Sequence, residues 1–116
     1  MGEIRELVDE GSEWYLPKEA RTTAVHYARQ YKEWKAQYSN LTEDDPRRKK
    51  LEERMKLIED TAKETDDGAG LYNWLLQCVI QKTSYAYMNQ KLGMPCGEEK
   101  YHKMKREFFY RLSEKI

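Results

Sequence analysis

Basic side chains recur at short intervals along residues 98–116, the carboxyl end of the sequence. Lysine and arginine neutralise phosphates, and both can donate hydrogen bonds to the O6 and N7 acceptors of guanine. A histidine can read a base edge, and a glutamate can accept a hydrogen bond from the N4 amino group of cytosine. These residue types favour recognition of duplex DNA over bond-making chemistry. The candidate DNA-binding residues are Lys100, His102, Lys103, Lys105, Arg106, Arg111 and Glu99.

Residues suited to catalysis or metal binding do not form a recognisable motif. Neither His26 nor His102 accompanies a serine or cysteine nucleophile in a known pattern, and there is no glycine-rich phosphate loop. Cys78 and Cys96 match no metal-ligand spacing and are expected to remain free thiols. The sequence therefore predicts no enzyme, no catalytic residue, no metal site and no cofactor.

The pattern over residues 84–116 is typical of a helix-turn-helix. A short amphipathic segment, Ser84–Leu92, leads into Gly-Met-Pro-Cys-Gly, and a longer helix follows from Gly97 or Glu98. In a helix-turn-helix the second helix enters the DNA major groove. The face of this helix that we expect to be buried carries Tyr101, Met104, Phe108 and Leu112.

Apolar and aromatic residues recur at spacings of three and four in the preceding part of the chain. From Ala20 to Leu41 they predict one long helix over about Pro17 to Asn40, and aromatic residues in this row are expected to be core rather than base-stacking platforms. The same spacing from Leu51 to Thr65 predicts a second helix, for which Thr42 is a candidate N-cap. A short polar loop between two such helices predicts an antiparallel hairpin.

These elements together predict an all-α fold with four or five helices. We expect residues 1–116 to form a single domain, with the long helical hairpin at 14–66. Residues 70–116 would supply a central core helix, beginning near Leu71, and the helix-turn-helix-like end. The hairpin's heptad-like row could also form a homodimer, although pairing within the hairpin satisfies it equally well.

Charge is balanced overall but unevenly distributed. The chain has 21 basic and 21 acidic side chains, and residues 69–116 hold eight of the basic and four of the acidic ones. The run Arg47–Lys50 is open to two interpretations, a solvated face or a nucleic-acid patch. No apolar stretch approaches the roughly 18 residues that span a membrane, and no signal-peptide pattern is present, so we expect a cytoplasmic protein with no membrane partner.

Two stretches resemble small phage-encoded late-gene transcriptional activators of the RinA/ArpU-like type. Residues 14–19, Trp-Tyr-Leu-Pro-Lys-Glu, are similar to the start of the helical hairpin in those proteins. Residues 94–97, Tyr101 and residues 105–113 are similar to their last helix, although Glu98, Glu99 and Glu107 make this one less basic than the family pattern. The resemblance implies a helix-turn-helix like that of sigma-factor region 4, a phage or prophage origin and action in the bacterial host cell.

Two functional hypotheses follow. The preferred one is a phage or prophage DNA-binding transcription regulator that reads duplex DNA with its C-terminal helix, near host RNA polymerase. The alternative is a small phage helical protein that binds and inhibits a host protein, such as a defence nuclease complex, in the manner of an anti-CRISPR protein. An assembly partner that uses only the hairpin is a third interpretation.

Overall fold

The computed structural model describes residues 14–66, 70–81, 85–93 and 96–116, apart from the side chain of Leu92. These ranges are helical and contain no strand. Because a single residue, Gln30, separates the first two helical segments, they form one bent helix, and the helices of these described ranges number five. The all-α prediction is confirmed. The segments are α1 (Lys18–Arg29), α2 (Tyr31–Asn40), α3 (Pro46–Thr65), α4 (Tyr72–Ile80), α5 (Tyr85–Leu92) and α6 (Glu98–Ser113).

A bend at Gln30 divides the helix that the sequence predicts as continuous. The Gln30 amide donates to the carbonyl oxygen of Tyr27, three residues back, at 3.2 Å, which tightens the helix locally. The bend sends the two halves to different neighbours: α1 packs against α4 and α6, whereas α2 packs against α3. The antiparallel hairpin therefore consists of α2 and α3, and α1 belongs to the layer beside it.

The start of α3 is set by Asp45 and Pro46. The Asp45 carboxylate accepts a hydrogen bond from the Arg47 amide at 2.9 Å, and Pro46 occupies the first helical turn. Proline suits that position because its φ angle is fixed and its missing N–H would have no partner there. Asp45 is thus the N-cap, which corrects the expectation that Thr42 caps this helix.

Helix α6 is packed on several sides. It contacts α1, α3 and α4. The four residues predicted to face inward are all buried, and Phe108 and Leu112 have no exposed surface. The buried face is wider than the sequence pattern suggested, because Lys105 and Phe109 belong to it as well. Helix α4 contacts α1, α3 and α6 through a face that includes buried Leu75, in line with its predicted place in the core.

Two further sequence expectations concern membranes and thiols. In the part of the chain that the structure describes, no helix combines the length and the apolar character that crossing a membrane requires. Both cysteines are free thiols, with Cys78 buried and Cys96 half-buried. The junction between the predicted core helix and the predicted segment Ser84–Leu92 lies outside the described residues.

Replacing Phe108 with alanine tests the place of α6 in the core. The side chain is fully buried, so Phe108→Ala should lower the free energy of unfolding by about 3–5 kcal/mol through lost apolar burial and a residual cavity. Urea denaturation followed by circular dichroism measures the change. Lys49→Ala, at an exposed position, is the control and should change stability by less than about 0.5 kcal/mol. Equal effects of the two substitutions would contradict this packing.

Candidate nucleic-acid interface

Tyr85 joins α5 to the start of α6. Its hydroxyl donates to the carbonyl oxygen of Cys96 at 2.9 Å, and its ring meets the Tyr101 ring edge-on with centroids 5.3 Å apart. Gly93 adopts a φ of +69° at the end of α5, a left-handed conformation in which glycine is free of Cβ strain. Residues 94–95 of the predicted turn, and Ser84 before α5, lie outside the described residues.

The outward half of α6 carries most of the predicted DNA-binding residues. Glu99, Lys100 and Lys103 are exposed, whereas His102 and Arg106 are half-buried at its side. At 100° per residue these positions share one half of the helix. His102 also faces Glu98, with Nε2 and Oε1 3.4 Å apart. We call this surface the α6 rim; it consists of Glu99, Lys100, His102, Lys103 and Arg106.

Lys105 lies in the core and not on the rim. It has no exposed surface, and its Nζ atom sits 5.0 Å from the centroid of the Tyr101 ring. Position 105 follows Tyr101 by one helical turn and precedes Phe109 by another, so the helix period turns it inward. In the sequence, Lys105 is next to Arg106 and was interpreted with it as an exposed basic pair, so the burial of Lys105 was not predicted. Lys105 therefore does not lie on the surface where a phosphate contact was predicted.

Arg111 is engaged within the molecule. Its Nε donates to Glu107 Oε2 at 2.9 Å, and its guanidinium lies 5.3 Å from the centroid of the Trp14 ring. Trp14 in turn meets the Tyr110 ring edge-on, with centroids 5.4 Å apart. These contacts hold the segment before α1 against the end of α6. Because Glu107 compensates its charge, Arg111 adds little to a phosphate-binding surface.

Arg106 is the rim residue with an unmet hydrogen-bond donor. Its Nε is buried and has no hydrogen-bond partner among the described residues. A buried donor without an acceptor costs free energy. Because this Nε atom is itself buried, a ligand could bond to it only after the side chain moves, so Arg106 belongs to the rim through its position on the helix and its partial exposure.

A second basic surface lies between α2 and α3. An open groove of about 420 Å³ runs along the hairpin near its loop. We call it the hairpin groove; its lining residues are Gln37, Asn40, Leu41, Arg47, Lys50, Leu51 and Arg54. The sequence left the role of the run Arg47–Lys50 open and missed Arg54. A search for basic residues at helical intervals, i, i+3 and i+7, would have found the set.

Aromatic side chains lie in the interface between α2 and α3. Tyr31 and Trp34 are buried, in keeping with the prediction that they are core residues. The Arg54 guanidinium lies 5.6 Å from the centroid of the Trp34 ring, and Arg48 lies 4.2 Å from that of Tyr38. Burial, followed by a hydrogen bond to Glu59, raises the pKa of the Tyr31 hydroxyl well above its usual range. These rings are therefore packed in the hairpin, and two of them help to position arginines.

Asp45 holds one of the arginines of the groove. Arg47 donates to its carboxylate through Nη2 at 2.7 Å and Nε at 3.1 Å. These side-chain hydrogen bonds, with the backbone bond from the Arg47 amide, lower the pKa of Asp45 to about 2. The pair leaves the Arg47 side chain 74% exposed, so it can still meet an anion from solvent.

Comparisons with known proteins gave no match, whether with protein-family models, with curated proteins or with solved structures. Within the described ranges, no cluster of three or more His, Cys, Asp or Glu side chains could hold a metal ion.

Two neighbouring lysines of α6 should respond differently to truncation. Lys105→Ala should lower the free energy of unfolding by about 1–3 kcal/mol, because it removes a buried aliphatic stem and a cation over an aromatic ring. Lys103→Ala, at an exposed position, should change it by less than about 0.5 kcal/mol. Urea denaturation measures both. Comparable effects would show that Lys105 is not buried.

The lowered pKa of Asp45 predicts a dependence of stability on pH. The pKa of the carboxyl is 3.8 in the unfolded chain and about 2 when folded, so the unfolded state binds the proton first. The stabilisation is complete above about pH 5 and is lost progressively as the pH falls through 3.8 towards about 2. Asp45→Asn keeps a capping side chain without this titration. Thermal melts should show the wild type more stable at neutral pH and the difference vanishing in acid; a constant difference would refute the assignment.

Proposed function

We propose that this protein is a phage or prophage transcription regulator that binds duplex DNA through the α6 rim. The observation that carries the proposal is the placement of exposed Lys100 and Lys103, with half-buried Arg106, on one half of a helix. The order of the elements, a short α5, a glycine-containing connection and then α6, supports a helix-turn-helix arrangement. The phage origin rests on the resemblance noted in the sequence.

The dimensions of the rim suit a major groove. Glu99 and Arg106 are separated by seven residues, which is about 10 Å along a helix. The major groove of B-DNA is about 12 Å wide, which matches the ~10–12 Å diameter of an α-helix, so the rim would extend along the groove. A recognition helix contacts base edges with its N-terminal residues, and the rim occupies that half of α6. The buried face of the same helix keeps it fixed against the rest of the protein while it contacts DNA.

The rim residues would make different kinds of contact with DNA, according to their chemistry. Lys100 and Lys103, exposed and cationic, would neutralise backbone phosphates. Arg106 would donate to a guanine edge or a phosphate, and His102 and Glu99 would read neighbouring bases. Neither Lys105, which is buried, nor Arg111, which is bonded to Glu107, is part of the proposed surface.

A host protein is the second candidate partner, favoured by the mixed charge around α6. The exposed Glu99 lies on the rim itself, and Glu98 stands beside it, so phosphates would meet both signs of charge. Tyr87 on α5 is 47% exposed, and exposed aromatic residues are enriched in protein interfaces. Such a surface would suit an inhibitor of a host protein or a contact with host RNA polymerase.

Binding to random duplex DNA across a salt series tests the proposal. Fluorescence anisotropy should show affinity that falls steeply with salt. The double variant Lys100→Gln/Lys103→Gln should reduce the slope of log affinity against log salt by about 2, because two phosphate contacts are lost. Lys32→Gln/Lys35→Gln, which removes two exposed lysines from α2, is the control and should leave the slope unchanged.

Whether the protein prefers particular DNA sequences needs a separate measurement. Selection from a pool of randomised duplexes should yield a consensus site, and Arg106→Gln should relax the preference at one position of that site. Absence of binding at low salt, together with capture of a host protein that Tyr87→Ala abolishes, would replace the DNA proposal with the inhibitor hypothesis.

A further inference from the structure

We infer that the hairpin groove is a second DNA-binding surface, which holds the phosphate backbone without reading its sequence. The inference rests on the proposed function, in that duplex DNA is the partner of both surfaces. It adds a site that lies on different helices from the α6 rim and contacts the duplex at a distance from it.

The charge lining the groove complements a polyanion. Arg47, Lys50 and Arg54 line it together with two amide side chains and two leucines, and no carboxylate belongs to the lining. At 100° per residue, the acidic side chains that follow in α3, Glu52 and Glu53, fall on other faces of that helix. Asp45 compensates Arg47 in part, so the net positive charge comes from the other two cations.

Hydrogen-bond donors surround the same space. The amides of Gln37 and Asn40 face the cations across the groove, and both side chains are exposed. Gln37 also donates to Glu33 at 3.3 Å, which places one carboxylate next to the groove on α2. The Trp34 ring under the Arg54 guanidinium restricts its motion, so less conformational entropy is lost when it binds a phosphate.

The openness of the groove favours a polymer over a free anion. Its lining cations are exposed, with the Arg47 side chain at 74%, so each contact is screened by water and salt. A single phosphate gains little from such contacts, whereas a backbone that engages several of them releases several counterions at once. Leu41 and Leu51 in the lining offer apolar contact to a sugar.

The position of the groove relative to the rim selects a duplex as the polymer. The lining of a second depression includes Lys100 and Lys103, together with the acidic Glu99 and Glu107, and reaches Thr65 at the end of α3. Thr65 follows Arg47 by five turns of the helix, which puts both residues on the same side of α3, about 27 Å apart along its axis. One turn of B-DNA is about 34 Å long, so a single duplex can reach both surfaces.

Charge-neutralising variants test the inference. Lys50→Gln/Arg54→Gln removes two cations from the groove, and Lys49→Gln/Lys56→Gln removes two exposed cations from the opposite face of α3 as a matched control. The probe is a random duplex of about 20 base pairs, roughly two helical turns, in the same salt series. The groove variant should reduce the slope of log affinity against log salt by about 2, whereas the control should not change it.

The outcomes separate this inference from the proposed function. If the groove variant binds like its control while Lys100→Gln/Lys103→Gln loses affinity, the groove inference is wrong and the rim proposal stands. The reverse result supports the groove and removes the rim. If the wild type binds no duplex, or if polyglutamate competes at equal charge concentration, the groove is not a DNA site.

A single substitution guards against a folding defect in the double variant. Lys50→Glu changes one exposed side chain and keeps the Arg54 side chain, and the introduced carboxylate, one turn before Arg54, also offsets the charge of that arginine. With an unchanged thermal melt it should weaken duplex binding more than Lys49→Glu does. Equal weakening by the two substitutions would show that only net charge matters and would overturn a localised site.

Discussion

The burial of one face of α6 against α1, α3 and α4 is the constraint on which the rest of the structure depends. This face takes in Lys105 and two phenylalanines as well as the residues that the sequence marked as apolar. Because it is wide, only the opposite half of the helix is available to solvent. The same contacts fix α3 beside α6, so both basic surfaces belong to one rigid packing arrangement and not to separate segments.

The helices were predictable because their apolar spacing is a local property of the sequence. The rows of apolar and aromatic residues from Ala20 to Leu41 and from Leu51 to Thr65 do face the core. The bend at Gln30 was not predictable, since both halves of that helix keep the same spacing and differ only in the helices they pack against. The N-cap was misassigned because Thr42 and Asp45 both suit the role and only the position of Pro46 decides between them.

The candidate site was predictable in part. Lys100 and Lys103 lie on the exposed half of α6, as a helix with a buried stripe requires. The burial of Lys105 was not predicted, because residue type alone does not show when the long aliphatic stem of a lysine lies within a core. The hairpin groove depends on which flank of α2 meets Arg54. That flank is set by how the two helices pack against each other, so the sequence alone identified the run Arg47–Lys50 and did not identify Arg54.

The central claim is that one duplex contacts α6 and α3 on the same side of the protein. Mapping of amide and side-chain NMR shifts during titration with duplex DNA tests it most directly, because it reports every contact in one experiment. We expect shifts at Lys100, Lys103 and Arg106 and at Lys50 and Arg54, with the buried face of α6 unperturbed. Shifts confined to other surfaces, or none at all, would contradict this account of how the protein binds.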